Sequence, residues 1–290
     1  MEKRFTFNHL AASGLGLAAC ALFAGNIPSA RADENLFGFV RGAETLPKGH
    51  FDFYQTLTLR TSKDAGVYRG WDSDTELEYG FTDKFQASIA LDNRYIYNRG
   101  VEDLPDANHF TFGGVESAMK YRLLSPFKDP VGLALRLEGG WLLHDEVGGL
   151  LEHEMYVAPE VILQKNFFDD TLVTELNYGV EWAWGKDPAE QYYKEFSMQG
   201  GAGVTYRFAP NWFLGVEGHV RSEWPLFNFG NFEHVVVYAG PALHYARERW
   251  WVTLSYNYQV YGHGVDESAR SQTFAEETRH EIRFKVGFNF

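Results

Sequence analysis

The chain of 290 residues carries 26 Lys and Arg against 39 Asp and Glu, a net charge of −13, with 17% aromatic residues and a single cysteine. That acidity argues against nucleic acid as a partner, whose binding needs a basic patch, and one cysteine excludes a disulfide framework. No apolar run in the body of the chain approaches the 18 or so residues of a transmembrane helix, so an exported, aromatic-rich chain has one remaining way into a membrane, a closed β-barrel.

The first 32 residues read as an export signal. Lys3 and Arg4 form its positive start, residues 10–24 its apolar stretch, and Ala30-Arg31-Ala32 a small-x-small cleavage site. A lipoprotein signal competes, because Leu17-Ala18-Ala19-Cys20 resembles a lipobox, but that cut leaves Ala21, Leu22 and Phe23 in the mature chain. Removing Glu2, Lys3, Arg4 and Arg31 leaves 23 basic and 38 acidic residues, a mature charge of −15. Residues 33–49 are then a polar periplasmic lead-in with Gly38, Gly42, Pro47 and Gly49 and no strand pattern. It can extend about 58 Å at ~3.4 Å per residue, long enough to fold up into a barrel lumen as a plug.

From His50 onward a period of two recurs twelve times, over 50–60, 71–80, 84–97, 109–123, 131–143, 152–165, 171–184, 195–208, 212–224, 233–246, 250–261 and 277–290. That period throws alternate side chains to opposite faces of a strand. The second segment sets Trp71, Leu77 and Tyr79 against Asp72, Asp74, Glu76 and Glu78. The third sets Phe85, Ile89 and Leu91 against Asp92 and Arg94, and the fourth Val115, Met119 and Tyr121 against Glu116, Lys120 and Arg122. Leu133, Leu135, Leu137 and Trp141 oppose Arg136 and Glu138 in the fifth, and Leu176, Tyr178 and Trp182 oppose Glu181 in the seventh. The last segment, ETRHEIRFKVGFNF, puts Arg279, Glu281, Arg283 and Lys285 opposite Ile282, Phe284, Val286, Phe288 and Phe290. A charge facing lipid at mid-height costs roughly 2–4 kcal/mol, more for the basic ones. These charged residues are therefore assigned to the inner face, as the lining of a pore.

The connectors alternate between short ones, such as 81–83 and 209–211, and long ones, such as 98–108 and 262–276. Short periplasmic turns and long outer loops are the barrel arrangement, with both termini in the periplasm. Aromatics crowd the strand ends, Phe85, Trp212, Trp250 and Phe290 toward one rim and Trp71, Trp141, Trp182, Trp184 and Trp224 toward the other, as in interfacial girdles. The predicted architecture is an all-β transmembrane antiparallel barrel of about twelve strands over residues 50–290. Its location is the outer membrane of a Gram-negative bacterium.

Three constellations bear on chemistry. Asp72-Ser73-Asp74 resembles the paired Asp of outer-membrane omptin proteases, but the Asp-x-His that such a water-activating site also needs occurs nowhere. A barrel phospholipase needs Ser, His and Asn together; His280 has no Ser two residues on, and His219 and Ser222 fall on opposite faces. His144, Asp145, Glu146, Glu152, His153 and Glu154 form an acidic loop patch that could meet a divalent cation, with no closed ligand set. The expectation is that the protein is not an enzyme and holds no cofactor or structural metal.

Five stretches together resemble an uncharacterised family of proteobacterial outer-membrane barrels: ENLFGFVRGAETLPKGHFDFYQ (34–55), TELEYGFTDKFQASIAL (75–91), GVESAMKYRLLSP (114–126), YRFAPNWFLGVE (206–217) and EIRFKVGFNF (281–290). The resemblance implies barrel and location and hands over no catalytic or binding residues. Two functions stay open: a passive channel for small solutes with a net-acidic lumen, and a plugged structural or surface-interaction barrel. The partners expected are outer-membrane lipid and lipopolysaccharide, the barrel-assembly machinery through the terminal Phe290, and small solutes. For a pore, the acidic outer mouth predicts a mild cation preference with Asp72 and Asp74 as its largest contributors.

Overall fold

A chain whose strands are apolar on one face and charged on the other can satisfy both faces only by closing on itself. The computed structural model describes residues 35–102, 104–265, 272–274 and 277–290; the assigned signal segment 1–32 lies outside them. Twelve antiparallel strands form a closed barrel in which each pairs with its sequence neighbours and the first with the last. They are β1 (Phe51–Thr61), β2 (Val67–Thr82), β3 (Phe85–Arg99), β4 (Ala107–Leu124), β5 (Gly132–His144), β6 (Leu151–Phe167), β7 (Leu172–Lys186), β8 (Tyr192–Ala209), β9 (Trp212–Pro225), β10 (His234–Ala246), β11 (Trp250–Gly264) and β12 (His280–Asn289).

The alternation read from the sequence is the alternation of the wall. Ile89, Met119, Leu135, Leu137, Val216 and Leu254 are exposed on the outside, while Asp92, Lys120, Glu217 and Ser255 are buried within. On β4 the extra residue Gly113, at the register shift opposite Asp92 and Asn93, re-phases the strand. Phe110 and Phe112 before it are exposed, and Glu116 after it still lines the lumen. β12 starts at His280 rather than Glu277; residues 277–279 belong to the last outer loop.

The seam runs from Asp52 opposite Asn289 to Thr61 opposite His280. Phe290 extends it, its N–H donating to Phe51 O at 2.9 Å while the Phe51 N–H donates to Phe290 O at 3.1 Å. Deleting residues 288–290 removes the short-turn end of this closure and exposes strand edges. The expected outcome is loss of the heat-modifiable folded band and degradation of the chain; undiminished assembly of the truncation would count against the closing-seam reading.

Candidate functional site: an acidic chamber floored by a strap

Residues 35–47 do not hang from the barrel but lie inside it, crossing the lumen near the short-turn ends of the strands as a strap that reaches the rim at the exposed Lys48 and Gly49. Leu36, Phe37 and Val40 pack with Val173, Phe213 and Ala242 of the wall, and Ala43 with Ala134 and Ile162. A backbone segment buried without strand partners must find other acceptors, and here inward-facing side chains supply them. The Glu217 carboxylate accepts from the N–H groups of Gly38, Phe39 and Val40 at 3.1, 2.8 and 3.2 Å. Asn177 accepts from the Arg41 N–H at 2.7 Å and donates to Arg41 O at 2.9 Å. Gln164 and Gln86 accept from the N–H groups of Ala43 and Leu46 at 2.7 and 2.6 Å. Arg283 donates to Gly38 O at 3.2 Å, and its guanidinium lies 3.8 Å from the Phe39 ring centre.

The wall is shaped for this strap. Glycines in a strand interior often mark a close approach of another backbone, and β8 carries Gly200, Gly201 and Gly203. A Cβ at Gly203 would stand 2.6–2.8 Å from three atoms of the Phe37 ring, and one at Gly201 3.1 Å from a Val40 methyl.

Outward of the strap lie two adjoining cavities of about 310 and 800 Å³, the inner one floored by Gly38, Phe39 and Arg41. Toward the short turns only about 10 Å³ remains, between Asn35, Arg41, Glu78 and Lys120, room for about one water. The chamber is thus an outward-facing cup.

Its charges are unevenly partnered. On the β1–β3 side, Arg60 holds Asp72 through Nε at 2.7 Å and Nη2 at 2.9 Å, and Arg94 pairs with Asp92 at 2.6 Å. Arg136 contacts Glu138, Tyr54 donates to Glu76, and His219 Nε2 sits 3.1 Å from Glu281. Across the lumen, Glu154, Glu181 and Glu195 of β6–β8 line the larger cavity, and among the described residues none has an ion-pair partner within 4 Å. Tyr193 donates to Glu152 and Glu154. Asp72 is held by a two-point guanidinium contact, whereas Asp74, like the β6–β8 carboxylates, has no ion-pair partner within 4 Å among the described residues.

The loop between β5 and β6 turns into the mouth. Arg60 donates to Glu146 O at 2.6 Å and Tyr68 to Val147 O at 2.9 Å, while the Glu146 carboxylate lies 3.7 Å from Arg94 and 4.0 Å from Arg60. Asp145 caps the loop's own turn, accepting from the N–H groups of Val147, Gly148 and Leu150. Glu146, half exposed at the mouth, therefore latches this loop to Arg60 and Arg94. Burial pushes the Glu146 carboxyl up, but the guanidiniums of Arg94 and then Arg60 outweigh it and bring it down to about 2. A carboxyl depressed on docking adds stability that is complete above its undocked value, near 4.5, and is lost as pH falls toward 2. Amide protection across 145–150, with intrinsic exchange divided out, is expected to fall between pH 5 and pH 3, and Glu146→Gln to abolish that fall; pH-independent protection in the unsubstituted protein would contradict the latch.

Of the assigned lining residues, Asp72, Asp74, Glu76, Asp92, Arg94, Glu116, Arg136, Glu138, Glu281, Arg283 and Lys285 face the inner cavity. Glu181 lines the outer one, and Glu78 and Lys120 lie below at the strap. Two stand apart. Arg122 donates to Asp83 O at an exposed short turn, and Arg279, ahead of β12, sits over the Phe274 ring. Gln86, Gln164, Asn177 and Glu217, which hold the strap, were not among them. The signal available for that contact was the apolar set Leu36, Phe37, Val40 and Leu46 in a lead-in with no strand to join.

Residues 29–290 match a family of unknown function (DUF6662). Among solved structures, an outer membrane channel from Pseudomonas putida F1 superposes with a TM-score of 0.60 at 12% identity, covering 86% of this chain and 98% of that one. The β domain of the Bordetella autotransporter BrkA does so with a TM-score of 0.51 at 13% identity, covering 83% and 99%. At such identities the likeness is one of fold, and the fold is that of outer-membrane barrels. No curated protein matches the sequence.

Proposed function

The chain belongs to that family of unknown function, so its activity has to be read from the barrel, and we propose a passive outer-membrane channel for small solutes, gated at its periplasmic half by the strap. In this reading the leader is cleaved after Ala32, the assembly machinery engages the strand ending in Phe290, and the outer face meets lipid and lipopolysaccharide. Solutes enter the acidic chamber from outside and pass when residues 35–47 leave the lumen. No catalytic role is assigned.

The observation that carries this reading is how the strap is attached. The ladder from β1 to β12 is complete without it. Apart from Gly49 N–H to Gly80 O and the Thr45 hydroxyl to Asp83 O, its hydrogen bonds to the wall among the described residues run to or from side chains there, so its departure breaks no pairing between strands. The chamber above it is polar, as a solute path requires. One observation favours a second reading, a permanently plugged structural barrel: Phe37 is 0% exposed and Leu36 and Val40 nearly so, at about 1.5–3 kcal/mol of burial for each such side chain. Planar-bilayer recording separates the two. The chain lacking residues 33–49 should give large, steady conductance, and the mature chain little or only brief conductance. Silence from both would end the channel reading.

A further inference from the structure

At the outer mouth, behind the acidic arc, Glu223 of β9, His234 of β10 and Glu277 of the last loop bring one imidazole nitrogen and two carboxylate oxygens within 4.8 Å of one another. Their side chains are 12%, 4% and 7% exposed. The geometry points to a site for a divalent transition-metal ion of the zinc type, bound by His234 Nε2 and Glu277, with Glu223, 3.7 Å from Nδ1 of the same ring, as the neighbouring carboxylate.

Two buried donor atoms are left over that a solvated acidic patch would not leave. His234 Nε2 and Glu277 Oε1 have no hydrogen-bond partner, and an unsatisfied buried polar atom costs about 1–3 kcal/mol. They face each other at 3.6 Å. That is too long for a hydrogen bond, whose N···O distance runs about 2.7–3.2 Å. It is close to the edge of a coordination tetrahedron. Zinc bonds of about 2.0–2.1 Å to nitrogen and 2.0–2.2 Å to oxygen set two ligands roughly 3.3–3.5 Å apart at the tetrahedral angle. The remaining Glu277 oxygen accepts from Tyr238 at 3.2 Å, the kind of outer hydrogen bond that orients a ligating carboxylate.

The charge balance agrees. Arg221 is the near cation, 3.8 Å from Glu277 and 3.9 Å from Glu223. Glu195 and Glu233 converge with Glu223 in a second set of carboxylates, so acidic groups outnumber the guanidinium that pairs with two of them. The nitrogen donor decides the class of ion, because imidazole suits zinc and its transition-metal neighbours, whereas all-oxygen sets suit calcium and magnesium. A bound ion would fasten the loop that leads into β12 to the β9–β10 wall. The site needs no open pore, so its fate is separate from that of the channel reading.

The test is calorimetric titration of Zn²⁺ into the tag-free mature chain in detergent after chelator treatment. One ion per chain is expected, with His234→Ala and Glu277→Gln each weakening binding at least about tenfold and Glu190→Gln, in another outer loop, leaving it unchanged. Heat-modifiable migration checks that each variant is folded. If a variant fails to fold, zinc-edge absorption of the unsubstituted protein decides, since a shell containing imidazole nitrogen supports the site and an all-oxygen shell overturns it. Undiminished binding in folded His234→Ala, or Ca²⁺ binding more tightly than Zn²⁺, would also overturn it.

Discussion

Gly203→Val is expected to open the barrel. The new Cβ would stand 2.6–2.8 Å from three atoms of a Phe37 ring with no exposed surface, inside any tolerable contact, and a fully packed site has little room to give. The strap must leave its cluster with Val173 and Phe213, taking with it the N–H groups held by Glu217. The wall itself should not suffer, because a β-branched residue suits a strand better than glycine does. Bilayer recordings should therefore show conductance approaching that of the chain without residues 33–49, with the folded band unchanged on gels. A folded Gly203→Val protein as silent as the parent would mean that Phe37 does not hold the gate.

Once the strap is gone, neutralising the β6–β8 arc should have the next largest effect. Glu154, Glu181 and Glu195 are adjacent carboxylates of the outer chamber with no ion-pair partner within 4 Å among the described residues, and a mouth of one sign in low-dielectric walls concentrates its counter-ions. In the strap-deleted channel, Glu154→Gln, Glu181→Gln and Glu195→Gln together should lower the cation preference several-fold, on the order of the local enrichment such a surface provides. The effect should fade at high salt, where the Debye length shrinks to about 3 Å. Reversal potentials in a salt gradient measure it. Asp72→Asn should do much less, since Arg60 already occupies that carboxylate. A reversal potential that ignores the triple change but follows Asp72 would place the selectivity on the opposite wall.

The strands were legible because lipid outside and charge inside impose a two-residue period that no loop imitates. Alternation gives a face but not a height, which is why Arg122 and Arg279 were assigned to a lining and lie at a turn and at the rim. Ion pairing was hidden for a related reason. Asp72 stands opposite Thr58 in the register, and its partner Arg60 is the diagonal neighbour, a choice that side-chain reach makes and sequence spacing does not. Loops were the least legible. Glu277 reads as one more charged strand position, yet it turns in before β12 begins, and Glu146 reads as free surface although, while still half exposed, it stands within 4.0 Å of two guanidiniums. The strap was visible only as length and an unexplained apolar quartet; its seat, Glu217 beside a glycine-rich β8, needed the closed barrel to bring strands together.

The claim that the strap is the gate is tested most directly by locking it. A Cβ built at Gly201 stands 3.9 Å from the Val40 Cβ, close to the ~3.8 Å mean separation across a disulfide, and the only native cysteine, Cys20, lies in the segment assigned to the leader. The paired change Val40→Cys with Gly201→Cys should give a protein that is electrically silent when oxidised and that regains channel openings when a reductant is added to the same bilayer. Equal currents in both redox states, or silence in both, would contradict the account.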